Sequence, residues 1–187
     1  MSNYRRAWVP GGACFFTVNL LRRDSRLLVE RIDALRAAFR RTQAQRAFEI
    51  AAIVVLPDHL HCLWRLPEGD ADNATRWRNI KAEFSRAVPP AEHRSARRLA
   101  KNERGIWQRR YWEHLIRDER DWSAHVDYIH INPVKHGHAE RVADWPYSSF
   151  HRYVLRGDLP ADWAGAAASE GGFGERGAID AGTRRPR

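Results

Sequence analysis

The run Pro57-Asp58-His59-Leu60-His61-Cys62-Leu63-Trp64 carries the first side chains with the types and spacing for chemistry. It reads as a turn followed by a strand. Side chains on a strand alternate faces, so His59 and His61 point one way while Leu60, Cys62 and Trp64 point the other. Two imidazoles on one rigid face supply two-thirds of a metal site. Far downstream, Tyr128 and Asn132 stand four apart on an expected helix and so share a neighbouring face. Two imidazoles and an amide oxygen leave positions open on a divalent cation, which suits a metal acting on a substrate better than a closed structural site. A cation held there can polarise a phosphate oxygen, and a phenol can attack the phosphorus to form a covalent phosphotyrosine and release a 3′-hydroxyl. A phenol has a reference pKa near ~10 and needs help at neutral pH, for which Lys135 and His125 are candidates beside the metal.

Those residues need a scaffold, and the chain offers one. Cys14 to Leu21 is rich in β-branched and aromatic residues and reads as a first strand. Arg22 to Arg26 is a charged loop, and Ile32, Leu35, Phe39 and Thr42 recur at helical spacing after it. Phe48 to Leu56 is a nearly continuous apolar run, expected as a central strand, and His59 to Leu66 returns antiparallel to it. A helix follows with Trp77, Ile80, Phe84 and Val88 on one stripe, stopping at Pro89-Pro90. A polar segment, Ala91 to Gly105, leads to a fourth strand expected around Ile106 to Leu115. Asp118 and Asp121 mark the start of another helix, with Trp122, Val126 and Ile129 as its buried stripe and Pro133 as its end. The order strand, helix, strand, strand, helix, strand is that of an α+β, ferredoxin-like split βαβ fold, an antiparallel sheet with both helices on one face. Asp144 to Leu155 reads as an aromatic-rich packing segment. The folded domain is expected to span residues 1–155. Residues 156–187 form a tail rich in Gly, Ala and Arg and expected to be mobile.

A chain of 187 residues can bury a core as one domain. Its formal net charge of +9 is unevenly spread: Asn73 to Arg117 holds twelve Lys or Arg against four Glu. Such clustering favours a nucleic-acid partner over an acidic small molecule, although a solvated helix face also accounts for part of it. Arg78, Lys81, Trp107, Arg109, Arg110 and Lys135 are the candidate DNA-binding residues, with Arg suited to phosphate and Trp to unpaired bases. Packing beneath the sheet explains Trp107 and Trp112 equally well, and Trp77 and Trp122 read as core. Cys14 and Cys62 lack metal spacing and read as buried thiols in a reducing cytoplasm. No apolar run is long enough for a signal peptide or a membrane span.

Leu56-Pro57-Asp58-His59-Leu60-His61 resembles the histidine-hydrophobic-histidine (HUH) signature. Tyr128-Ile129-His130-Ile131-Asn132-Pro133-Val134-Lys135-His136-Gly137 is similar to the single-tyrosine motif of REP-associated tyrosine transposases. Trp107 to Arg117 and Asp144 to Ser149 also look like segments of that family. The resemblance implies an HUH endonuclease needing Mg2+ or Mn2+, with His59, His61 and Asn132 as ligands and Tyr128 as nucleophile. It would cut and rejoin single-stranded DNA at hairpin repeats through a 5′-phosphotyrosine, in a bacterial, nucleoid-associated setting, as a monomer or homodimer. In insertion-sequence relatives the position of Asn132 is usually Gln, so this chain offers a shorter amide. The alternative class is a DNA-binding module that recognises hairpin repeats without cutting them. His114, His125, His130, His136 and His138 are expected at the surface or behind the ligands rather than among them.

Overall fold

The structure is a computed structural model that describes residues 8–90, 94–101 and 103–165. Four strands, β1 (Ala13–Asn19), β2 (Glu49–Val55), β3 (His59–Arg65) and β4 (Trp112–Leu115), form one sheet in the order β2-β3-β1-β4. Every adjacent pair is antiparallel. This is the split βαβ topology expected from the sequence. Two short helices, α1 (Leu27–Glu30) and α4 (Ala96–Ala100), flank α2 (Ile32–Gln45) and α3 (Asn73–Ala87), which cross from strand to strand. α5 (Glu119–Lys135) and α6 (Phe150–Arg156) follow the sheet.

The alternation of β1 and β3 divides the core. Leu60, Cys62 and Trp64 share a face with Cys14, Phe16 and Val18, and all six are buried. Trp64 stacks on Trp77 of α3 at 4.5 Å, while Phe39 of α2 meets Trp77 edge-on, so α2 and α3 cover this face together. The opposite face presents His59, His61, Phe15 and Thr17, and α5 lies across it. α3 begins where the side chain of Asp72 accepts the Thr75 N–H at 2.9 Å, and Trp64 Nε1 donates to Asn73 at 2.7 Å. Arg76 is buried in the same helix, with its charge on Asp70 at 2.7 Å and further N–H groups on the carbonyls of Ala47 and Asp72.

Four expectations need correction. β2 is an edge strand, not a central one. It can be apolar because its open edge is covered: Val55 donates to Tyr147, Ser149 donates to Ile53, and Trp145 Nε1 donates to Val55 at 3.0 Å. β4 is four residues long, because Ile106 to Gln108 bond to Asn19, Leu20 and Leu21 at and just past the end of β1, the chain loops out, and it pairs with β1 from Trp112. Pro133 lies inside α5 rather than ending it; in the final turn its missing N–H removes a single hydrogen bond, and the helix runs on to Lys135. Trp122 is half-buried, with the Arg65 guanidinium 5.2 Å over its ring.

Past residue 155 the chain stays against the fold, since the Trp163 ring lies 6.0 Å from those of Phe150 and His130. The remainder of the expected tail, from residue 166, lies outside the described residues. Among the described residues, no helix is long and apolar enough to cross a membrane.

Candidate functional site

The hairpin between β2 and β3 sets the two histidines. Pro57 and Asp58 turn the chain, and β3 starts at His59 with its side chains already in phase with the α5 face. Register then supplies the partners. Thr17 pairs with His61 across β1 and β3, and its hydroxyl is hydrogen-bonded with His61 Nδ1 at 3.0 Å. His59 Nδ1 lies 2.7 Å from the Asp58 carboxylate, which also meets Arg23 at 2.8 Å. With both Nδ1 atoms engaged, a ligand would be taken through Nε2 of either ring. Burial raises the Asp58 pKa, but the hydrogen bond from His59 and the charges of His59 and Arg23 outweigh it, so the carboxyl titrates below its ordinary range.

Tyr128 comes to these histidines on α5. Its ring lies 5.2 Å from that of His61 and 6.0 Å from that of Phe15, which itself stacks on His61 at 5.5 Å. Asn132, one turn later, is fully buried on the same side of the helix. Lys135 Nζ stands 3.4 Å from the Tyr128 hydroxyl and 4.6 Å over its ring. His136, at the helix end, brings its ring to 5.3 Å from His59. The fold thus gathers His59, His61, Tyr128 and Lys135 into one cluster, with Asn132 on the adjoining turn.

The other DNA-binding candidates lie elsewhere. Arg78, Lys81, Trp107, Arg109 and Arg110 line an open groove of about 1310 Å³ between α3 and the loop that precedes β4. Among the described residues that line it, Glu103 is the one carboxylate, and it pairs with Arg109 at 2.9 Å. Lys81 donates to the Gln108 carbonyl at 2.9 Å and sits over the rings of Trp107 and Tyr111, so it also holds the looped-out edge in place. The loop-out exposes Arg109 and Arg110. Trp107 leans on Phe84 as a wall of this groove, whereas Trp112 packs on Phe15 and His114 beneath α5.

One cluster escaped sequence reasoning. His114 Nε2 meets Asp121 at 2.8 Å, and His125 Nδ1 meets the same carboxylate at 3.1 Å. Burial opposes the Asp121 charge, yet hydrogen bonds from His114 and Arg117 prevail and bring its pKa to about 2. Burial also lowers the pKa of His125, and it drives that of His130 down to about 4. The spacing Asp121-x-x-x-His125 on a helix was the available signal, but only the β4 register brings His114 to it.

No protein-family model matches the chain. The chain is 51% identical over 165 residues to the REP-associated tyrosine transposase of Escherichia coli, covering 88% of this chain and 92% of that protein. A Haemophilus influenzae relative, provisionally given the same name, is 48% identical over 170 residues, 88% of this chain and 94% of its own length. A solved structure described as a REP-associated tyrosine transposase bound to a REP hairpin superposes with a TM-score of 0.81 at 49% identity. That match covers 94% of this chain and 98% of that one.

Proposed function

Because the chain belongs to the family of REP-associated tyrosine transposases, we propose that it cuts and rejoins single-stranded DNA at hairpin, REP-like palindromic sequences, with Tyr128 as nucleophile. The observation that carries this reading is the packing of Tyr128 against His61 with Lys135 at its hydroxyl.

In this reading the Tyr128 oxygen attacks the scissile phosphorus. The bond from phosphorus to the 3′-oxygen breaks, and the leaving strand takes a proton as a free 3′-hydroxyl. The other strand stays joined to Tyr128 through a 5′-phosphotyrosine. Attack by a 3′-hydroxyl on that linkage reverses the step and joins strands. Lys135 favours negative charge on the phenol oxygen as its proton leaves.

The residues fit Mg2+ or Mn2+: His59, His61 and the Asn132 amide oxygen would hold the ion, with Asp58 and Thr17 fixing the imidazoles from behind. When bound, such an ion supplies Lewis-acid stabilisation of charge on the phosphate. A REP hairpin is bound by the structural relative, and here the groove beside α3 offers Arg78, Lys81, Arg109 and Arg110 to phosphates and Trp107 to a base.

The test is incubation with a single-stranded hairpin oligonucleotide and Mn2+, followed by a denaturing gel. A protein–DNA adduct is expected, absent with EDTA and absent in Tyr128→Phe. Hairpin binding without any adduct would favour the non-cleaving module instead.

A further inference from the structure

We propose that His114, Asp121 and His125 form a second cation site, suited to a borderline transition metal such as Zn2+, that clamps the tyrosine helix to the edge strand. This goes beyond the cleavage reading and does not depend on it. The three residues each offer one ligand atom, and these atoms all lie within 4.8 Å of one another.

Two helical positions and one strand position converge here. Asp121 lies in the first turn of α5, and His125 lies one turn on, so their side chains stand one above the other. His114 reaches across from β4, its ring stacked at 4.7 Å on that of His125. Ligand atoms about 2.1 Å from one ion lie roughly 3.0–3.4 Å apart, depending on geometry. Each imidazole already stands about that far from one oxygen of the carboxylate, His114 Nε2 at 2.8 Å from Oδ2 and His125 Nδ1 at 3.1 Å from Oδ1. Rotation of His114, the most exposed of the three at 26%, and of the carboxylate brings one atom from each residue from within 4.8 Å to binding distance of one ion.

The donor set argues for the metal class. Two imidazoles and one carboxylate form a site of the kind that Zn2+ takes, with remaining positions for water. At a site with two nitrogen donors Zn2+ binds more tightly than Mn2+. The ion must displace hydrogen bonds now held at these atoms, among them those that the Asp121 carboxylate shares with His114 Nε2 at 2.8 Å and with the Arg117 backbone N–H at 3.1 Å. The Asp121 carbonyl accepts from His125 Nδ1 at 2.7 Å, so the ring proton moves to the other nitrogen, and the exposed Arg117 guanidinium swings from the carboxylate into water. This site is distinct from the histidine pair, because the Phe15 ring contacts His61 on one side and His125 on another. Since Tyr128 follows His125 by three residues, an ion bound here ties the nucleophile's helix to the sheet.

The untagged full chain, stripped with EDTA and dialysed, is titrated with Zn2+ by calorimetry, and its melting temperature is followed with and without Zn2+. Asp121→Asn and His114→Gln are each expected to bind one equivalent of Zn2+ fewer than wild type and to lose most of the zinc-induced rise in melting temperature. Circular dichroism checks folding, and if Asp121→Asn unfolds, the partly exposed His114→Gln decides. Equal stoichiometry in wild type and His114→Gln overturns the proposal, as does a wild type that binds no zinc beyond what His59→Gln with His61→Gln removes.

Discussion

Thr17→Val isolates the support behind His61, one of the proposed metal ligands. Thr17 and His61 are both fully buried, and the hydroxyl is 3.0 Å from His61 Nδ1. Valine keeps the branched shape, so no cavity opens, and the loss is confined to the hydrogen bond. Removing one partner of a buried polar group costs roughly 1–3 kcal/mol. For a domain of this size each kcal/mol moves the melting temperature by about 2–4 °C, so the fall should be roughly 2–12 °C. Function should suffer in a specific way. An imidazole that loses its outer hydrogen bond typically binds metal about 10–100-fold more weakly. Adduct formation by Thr17→Val should therefore need correspondingly more Mn2+ and recover at saturation, while hairpin affinity without metal stays at the wild-type level. Thr17→Ser, which keeps the hydroxyl, should retain the wild-type Mn2+ requirement. An unchanged Mn2+ requirement in a folded Thr17→Val protein would refute the assignment of His61 as a ligand supported from β1.

Three further outcomes are expected. Arg76→Met should lose about 2 kcal/mol, below the cost of breaking a fully buried pair because Asp70 is 31% exposed and can be re-solvated; urea unfolding measures it. The hydrogen bond from Arg76 holds the Asp70 pKa below its ordinary value, so that contribution is complete above the usual carboxylate range and is lost as pH falls through the lowered pKa. The difference between wild type and Arg76→Met should thus shrink in acid. Replacing Arg109 and Arg110 with Gln should weaken hairpin binding and flatten its salt dependence, by about 0.7–0.9 in log-log slope for each phosphate no longer neutralised; an unchanged slope would move the DNA surface away from the groove. Burial pushes the Cys14 thiol up to about 11 and the Cys62 thiol higher still, so neither should react with a thiol reagent at neutral pH until the protein is unfolded.

The histidine pair was legible because a two-residue period fixes which strand residues share a face, whatever the strand's neighbours. Tyr128 and Asn132 were legible for the same reason on a helix. Long-range neighbours were not. Phe48 to Leu56 looks central because it is apolar on both sides, and nothing local reveals that residues 145–149 cover its edge. The fourth strand reads as continuous, since its loop-out at Arg109 and Arg110 is flanked by long-range bonds, from Gln108 to the Asn19 carbonyl and from Lys81 to the Gln108 carbonyl, that its own sequence does not reveal. Pro133 reads as a stop because proline usually is one, yet so close to a helix end it removes little. The cluster at Asp121 needs β4 beside β1 before His114 can meet α5, and pairing of that kind is a tertiary fact.

The central claim is that Tyr128 carries the DNA. Its most direct test is peptide mapping by mass spectrometry of protein reacted with a single-stranded hairpin and Mn2+, then digested with nuclease and protease. The account predicts a nucleotide joined through its 5′-phosphate to the peptide containing Tyr128. A nucleotide on Tyr111, Tyr147 or Tyr153 instead, or none on any peptide after complete reaction, would contradict it.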